Sequence, residues 1–295
     1  MTERRESAGG GVVRESLAEA GVTAWPDRVS LVETARSRRA LDAILVQSAW
    51  NVVPMTIFAQ LLRPYPARMQ AIASARRALA QAQIRRARRV VTLTESVAAL
   101  VEQTTGRTPI VAPVTAGLQD WADLAEQSAE QDIGRGEHAL VVGTVSWFKR
   151  PWLALDVIHR HRPHLREIVF AGGDDGSGCW DVVQHHAAGY GLTVRRVQVP
   201  HAQMAALYRS AGACVLPSAL ESLGFGLVEA LLACPDVIAA RIPPHAEMAA
   251  RLGVSPSWIT ADGLGFPSGG RPVLGVASVT DEWRSVADAL GLSWG

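Results

Sequence analysis

Leu216-Pro-Ser-Ala-Leu-Glu-Ser-Leu-Gly-Phe-Gly-Leu-Val-Glu-Ala230 is the stretch whose reading decides the fold. The apolar run that leads into it, Ala213 to Leu216, is of strand length, and the apolar run that leaves it, Phe225 to Ala233, is of helix length. A buried strand that ends in a glycine-containing loop and opens a helix is the repeating unit of a parallel α/β sheet. The amino end of such a helix offers unpaired N–H groups and the positive end of a dipole, which suit a phosphate or diphosphate. Gly224 and Gly226 allow close backbone approach. Glu221 stands on the loop and Glu229 in the first turns of the helix, so a carboxylate lies on each side of the glycines. Glu229 is suited to accept hydrogen bonds from a ribose diol, and Glu221 to hold sugar hydroxyls. The plain alternative is a loop carboxylate that caps the helix and a solvated helix residue.

Working outward, β-branched runs alternate with Ala/Leu-rich helical stretches. In the second half the pattern predicts strands at Ala139 to Gly143, Glu167 to Ala171, Val194 to Val197, Ala213 to Leu216 and Asp236 to Ala239. Helices are expected at Pro151 to Arg160, Trp180 to Tyr190, His201 to Ala211, Phe225 to Ala233 and His245 to Leu252. The first half predicts strands near Ala43 to Gln47, Val90 to Thr94 and Ile110 to Ala112. Its helices are expected near Val12 to Ala20, Pro66 to Arg89 and Glu95 to Gln103. The polar, acidic segment after Val114 reads as a linker. The expected division is a domain over 1–115, a linker over 116–137, a domain over 138–275, and a terminal helix within 276–295 that packs back on the first domain.

The chain has 295 residues, 48% of them apolar, enough for two Rossmann-sized cores. Its formal charge of +1 provides no global field for nucleic acid, and no sequence-specific nucleic-acid partner is expected. Cys179, Cys214 and Cys234 lack metal-type spacing and read as reduced thiols, and no run approaches membrane-span length. These features point to a cytoplasmic location. No cofactor or bound metal is expected.

The string Pro217-Ser-x-x-Glu-x-x-Gly-Phe-Gly-x-x-x-Glu-Ala230, with seven residues between its glutamates, resembles the hallmark of retaining glycosyltransferases of the GT-B fold. The resemblance implies two Rossmann-like domains facing a cleft, the N-terminal one shortened, and a donor that is a nucleoside diphosphate sugar. It places the donor hexose on Glu221, the sugar and phosphates on Ser222, Leu223, Gly224, Phe225 and Gly226, and the ribose on Glu229. Val141-Val-Gly-Thr-Val-Ser-Trp-Phe-Lys149 resembles the family's glycine-to-lysine segment, with Lys149 six positions after Gly143. The implied role of Lys149 is to neutralise the leaving diphosphate without a metal. Thr144 stands where the family has arginine, and Arg150 where it has glycine, so both join the donor-binding candidates. Phe170-Ala-Gly-Gly-Asp174 and Pro243-Pro-His-Ala-Glu247 continue the resemblance, the latter placing Glu247 on the acceptor side.

In the first half Gly10 and Gly11 resemble the family's N-terminal glycine loop, and Gln47, Trp50 and Asn51 are further acceptor-side candidates. The acceptor itself, whether glycan, lipid-linked or small, is not specified. Within the predicted helix 66–89, five of the six residues Arg76, Arg77, Arg85, Arg86, Arg88 and Arg89 fall on one half, with Met69, Ile72, Leu79 and Ile84 on the other. That helix is either a solvated face over a packed one or a peripheral contact with anionic membrane. The resulting expectation is a retaining hexosyltransferase with Glu221 and Lys149 central to transfer. The alternative is a glycosyltransferase-like, non-catalytic subunit or scaffold that binds nucleotide.

Overall fold

The computed structural model describes residues 17–23, 29–31, 41–112, 136–260, 263–264 and 279–293. They fall into two compact units. The first comprises Met1–Arg63, Ala67–Gly117 and Gly275–Gly295, and the second Pro64–Pro66 and Leu118–Leu274.

The first unit is built on four parallel strands in chain order: β1 (Val29–Ser30), β2 (Ala43–Val46), β3 (Arg89–Thr92) and β4 (Ile110–Val111). All four β2 side chains are buried, as a parallel strand covered on both faces requires. The helices are α1 (Met55–Leu62), α2 (Ala67–Arg86), α3 (Glu95–Thr105) and the terminal α9 (Val279–Leu290). Thr94, extended, caps α3 by accepting from the Val97 amide at 3.3 Å, and Gly106 closes it with a left-handed φ of 69°. Helix α9 buries Val286, Ala287 and Leu290 and packs against β2 and β3.

Helix α2 differs from its sequence expectation in two ways. It ends at Arg86, and Arg89 already belongs to β3. Its faces are also not the ones the arginine spacing predicts. Arg77 is buried, with its guanidinium 4.7 Å above the Phe58 ring and donating to the Trp50 carbonyl, while Ile72 is exposed. A ring beneath the guanidinium and a carbonyl at its tip compensate its lost hydration.

The second unit is a seven-stranded sheet in the order β11-β10-β9-β8-β5-β6-β7. The strands are β5 (His138–Val142), β6 (Glu167–Ala171), β7 (Thr193–Val197), β8 (Ala213–Leu216), β9 (Val237–Ala240), β10 (Ser257–Thr260) and β11 (Gly263–Leu264), of which only the last is antiparallel to its neighbour. Helices α4 (Pro151–His161), α5 (Cys179–Gly189), α6 (His201–Ser210), α7 (Phe225–Ala233) and α8 (Pro243–Arg251) follow five of these strands in turn.

The pleat sorts each strand between two cores. Leu140, Cys214, Leu216 and Ala239 join Tyr208, Leu227 and Ala230 of α6 and α7 on one face. Ala139, Val141, Phe170, Val215 and Ile238 join Leu155, Ile158 and Val183 of α4 and α5 on the other. Cys179, Cys214 and Cys234 are free, buried thiols within these cores. Burial pushes the Cys179 and Cys234 thiols up to about 12, which keeps them protonated and unreactive.

Among the described residues no helix is long and apolar enough to cross a membrane. The two glycines Gly10 and Gly11, and most of the helix expected at Val12 to Ala20, lie outside the described residues.

Candidate functional site

Strand order places the site. β5 is flanked by β6 on one side and β8 on the other, so the chain leaves β5 in one direction across the sheet and resumes at β8 in the other. At such a switch the loops beyond the strands' carboxyl ends diverge and leave a crevice. The loop after β5 carries Gly143 to Arg150, and the loop after β8 carries Pro217 to Gly224.

These loops are tied together. The Ala219 amide donates to the Phe148 carbonyl at 2.7 Å. Arg150, with a left-handed φ of 49°, donates from Nε to Pro217 O at 2.7 Å and from Nη2 to Ser218 O at 2.9 Å. Burial holds its pKa below the usual value. Two of its three guanidinium nitrogens are therefore spent bracing the loop. Lys149 folds back over Gly143, whose Cβ position lies 3.7 Å from Lys149 Cε, and its ammonium pairs with Glu221 Oε1. Both side chains are about four-fifths buried, with exposures of 23% and 20%, so the pair is shielded more than a surface ion pair. Thr144 is exposed.

Gly224 begins α7 with a φ of 82°, and its carbonyl accepts from the Leu227 amide at 2.9 Å. The amides of Phe225 and Gly226 head the helix, where no earlier intrahelical carbonyl serves them. Leu223 is buried and anchors the loop. Glu229 lies in the second turn, where the Tyr208 hydroxyl donates to its Oε2 at 3.0 Å and His201 Nε2 lies 3.4 Å from Oε1. Tyr208 is fully buried; desolvation first, then the Glu229 charge, raises its phenol well above the usual range. It therefore remains a proton donor and fixes the carboxylate, whose side chain keeps 18% exposure. His245, on α8, donates through Nδ1–H to the Ala240 carbonyl 2.9 Å away, and its Cδ2 lies 3.0 Å from the Cβ position of Gly224.

Lys149, Glu221, Gly143 and the Gly224–Gly226 turn are thus gathered at one end of one sheet, with Glu229 one turn further along α7. Glu247 is on α8, where it pairs with Arg251 one turn on. Gln47, Trp50 and Asn51 belong to the first unit and cluster just past β2. Gln47 Nε2 donates to Leu31 O at 2.7 Å, the Trp50 ring meets Phe58 edge-on at 5.4 Å, and the Asn51 carbonyl accepts from Gln81 at 3.2 Å.

Sequence reasoning did not single out Tyr208, His201 or His245. Tyr208 carries the i, i+3 spacing of a core residue of α6, after Met204 and Ala205, and nothing local reveals the carboxylate above it. It also missed Tyr65. That residue lies in the three-residue segment Pro64–Pro66 that groups with the second unit, and desolvation first, then the Asp175 charge, raises its phenol above the usual range.

No family model matches the sequence, and no curated protein matches it either. Solved structures do resemble it in shape. A sucrose-phosphate synthase from Thermosynechococcus elongatus aligns over 87% of this chain and 60% of its own at 16% identity, with a TM-score of 0.54. A UDP-forming α,α-trehalose-phosphate synthase from Burkholderia xenovorans aligns over 99% and 72% at 12% identity, also with a TM-score of 0.54. The Anabaena HepE protein aligns over 76% of this chain and 66% of its own at 15% identity in complex with UDP, and over 76% and 65% at 16% identity in complex with UDP and glucose, both with TM-scores of 0.51. The chain spans roughly three fifths of the length of such structures, from 54% to 72%. The fold is α/β of the two-domain GT-B kind, with a shortened N-terminal unit.

Proposed function

We propose that the chain is a retaining glycosyltransferase that moves a hexose-type sugar from a nucleoside diphosphate sugar to an acceptor, without a metal. The observation that carries this reading is the convergence of Lys149, Glu221 and the head of α7 at the β5/β8 switch, with Glu229 held by Tyr208 beside them. Glu229 binds the ribose diol. The amides of Phe225 and Gly226 and the Lys149 ammonium take the diphosphate, and Glu221 holds the hexose hydroxyls. As the anomeric C–O bond breaks, negative charge builds on the diphosphate, where a fixed cation and a helix amino end stabilise it. That the solved structures of the same fold include one with UDP and glucose supports the donor class.

The test is release of nucleoside diphosphate from UDP-, GDP-, ADP- and dTDP-sugars in the presence of an acceptor extract. One donor is expected to be consumed, with the anomeric configuration kept in the product and with EDTA having no effect. Consumption of none, by a folded protein that still binds nucleotide, would favour the non-catalytic scaffold instead.

The first unit suggests where the acceptor is met. From Ala43 to Thr94 the chain contains no acidic residue but carries Arg63, Arg68, Arg76, Arg77, Arg85, Arg86, Arg88 and Arg89. Met55, Ile57 and Ile72 on the same two helices are exposed, at 64%, 43% and 44%. Exposed apolar side chains among arginines fit an anionic bilayer surface, so an inner-face peripheral location is part of the proposal. Vesicles of phosphatidylcholine with phosphatidylglycerol should sediment the protein at low salt, and pure phosphatidylcholine should not. The Met55→Glu, Ile57→Glu variant should lose most of that binding. Equal binding to both vesicles would remove the electrostatic reading.

A further inference from the structure

His245 enters α8 directly after Pro243 and Pro244, and only 1% of its surface is exposed. Its Nδ1 lies 2.9 Å from the Ala240 carbonyl, an acceptor only, so Nδ1 carries the proton of that bond. In the neutral ring the other nitrogen, Nε2, is then a lone-pair acceptor. Nε2 makes no hydrogen bond within the described residues. It is also absent from the polar atoms that are both sealed from solvent and unpartnered. The little surface that the ring retains therefore includes this atom. The edge bearing it faces the start of α7: the Cβ position of Gly224 lies 3.0 Å from Cδ2 and 3.7 Å from Nε2. A residue other than glycine at 224 would cover that edge.

The charges facing the ring are those of the donor site itself. Glu221 comes from the loop after β8, and Lys149 and Arg150 from the turn after β5. Burial, chiefly, lowers the imidazole pKa below its ordinary 6.5, and the two cations reinforce this while Glu221 opposes it. The ring is neutral at pH 7. A neutral Nε2 has nothing to offer a phosphate oxygen, since both are acceptors. What it can take from a ligand is a hydroxyl or an N–H.

We infer that His245 is a specificity-determining residue of the donor pocket, whose Nε2 accepts a hydrogen bond from a hydroxyl of the transferred sugar. The inference rests on the donor-site reading above. Glu221, whose charge acts on the ring, and His245 then supply two acceptors to the hydroxyls of one hexose. Such a pair discriminates against a donor that lacks one of them, because an acceptor would be left unpaired.

Asparagine at 245 separates this role from a structural one. Its amide nitrogen can take the place of Nδ1 and keep the bond to Ala240, but it has no atom where Nε2 stood. Titration calorimetry would use the sugar nucleotide consumed in the panel, or the tightest-binding one, together with its nucleoside diphosphate. For His245→Asn we expect the sugar nucleotide to bind about five- to tenfold more weakly, the magnitude of one neutral hydrogen bond. The nucleoside diphosphate should bind within about twofold of wild type. Equal loss for both ligands, or loss for neither, overturns the inference while leaving the donor site standing. If the wild-type protein binds the nucleoside diphosphate but gains nothing from the sugar, the inference falls too. If it binds neither ligand, the donor reading itself fails.

Discussion

Lys149→Ala is expected to slow sugar transfer by about 10²- to 10³-fold, the usual cost of removing one preorganised charge from a developing anion. It should weaken nucleoside diphosphate binding by more than about tenfold, since a hydrogen bond to a charged group is lost. Glu221→Ala should behave differently. Its carboxylate occupies the lysine and would repel a diphosphate bound as proposed, so removing it should leave free nucleoside diphosphate binding no weaker than in wild type, while transfer still falls by about 10²-fold. The two effects follow from one geometry: the ammonium pairs with Glu221 Oε1 beside Gly143, with both side chains about four-fifths buried.

The double variant sharpens the point. With Lys149 already gone, Glu221 is an uncompensated, partly buried carboxylate beside the proposed diphosphate position. Lys149→Ala with Glu221→Ala should therefore bind nucleoside diphosphate more tightly than Lys149→Ala alone. If Glu221→Ala weakens nucleotide and sugar nucleotide alike, the carboxylate serves the loop and not the sugar. Calorimetry and a coupled nucleotide-release assay give both numbers for each variant.

What the sequence made legible was what lies within one strand-loop-helix unit. The apolar runs Ala139 to Gly143, Glu167 to Ala171 and Ala213 to Leu216 announced β5, β6 and β8, and the glycines between Glu221 and Glu229 announced the head of α7. Pairings across units were not legible. That Lys149 meets Glu221 depends on β8 lying beside β5, and strand order is set by how whole helices cover the two faces of the sheet, not by any local spacing. Tyr208 and His245 are hidden for the same reason, because each touches the site from a neighbouring unit. Short elements escaped as well. β1, β10 and β11, at or next to the sheet edges, were not expected, and α1 is an eight-residue helix between Pro54 and Pro64 whose exposed Met55 and Ile57 blur its apolar stripe. The arginine pattern of α2 misled at Arg77 because the Phe58 ring that shelters it belongs to α1.

One glycine of the sequence motif has a role that only the structure supplies. Gly172→Ala is expected to destabilise the second unit by about 3 kcal/mol, at the upper end for overpacking, and to lower its melting temperature by roughly 6 to 12 °C. A Cβ at 172 would stand 2.3 Å from Gly143 O, 2.6 Å from Gly143 C and 3.2 Å from Thr144 N. All three are backbone atoms, so no rotamer change relieves the clash. The loops after β5 and β6 would have to part, yet they are stitched together there. Gly143 N donates to Ala171 O at 2.9 Å, Val145 N to Gly173 O at 2.8 Å, and Gly172 N to Val197 O at 2.9 Å on the next strand. Opening them would also shift Gly143 from beneath Lys149, so surviving activity should drop with stability. Gly173→Ala is the control: the nearest atom to its Cβ is Gln198 Nε2 at 3.5 Å, an ordinary contact, and its melting temperature should stay within about 2 °C of wild type. Thermal melts of the two variants, followed by circular dichroism, decide the matter. Equal melting temperatures would mean that the two loops can separate without cost, and that the close approach of Gly143 and Gly172 does not hold the Lys149 turn in place.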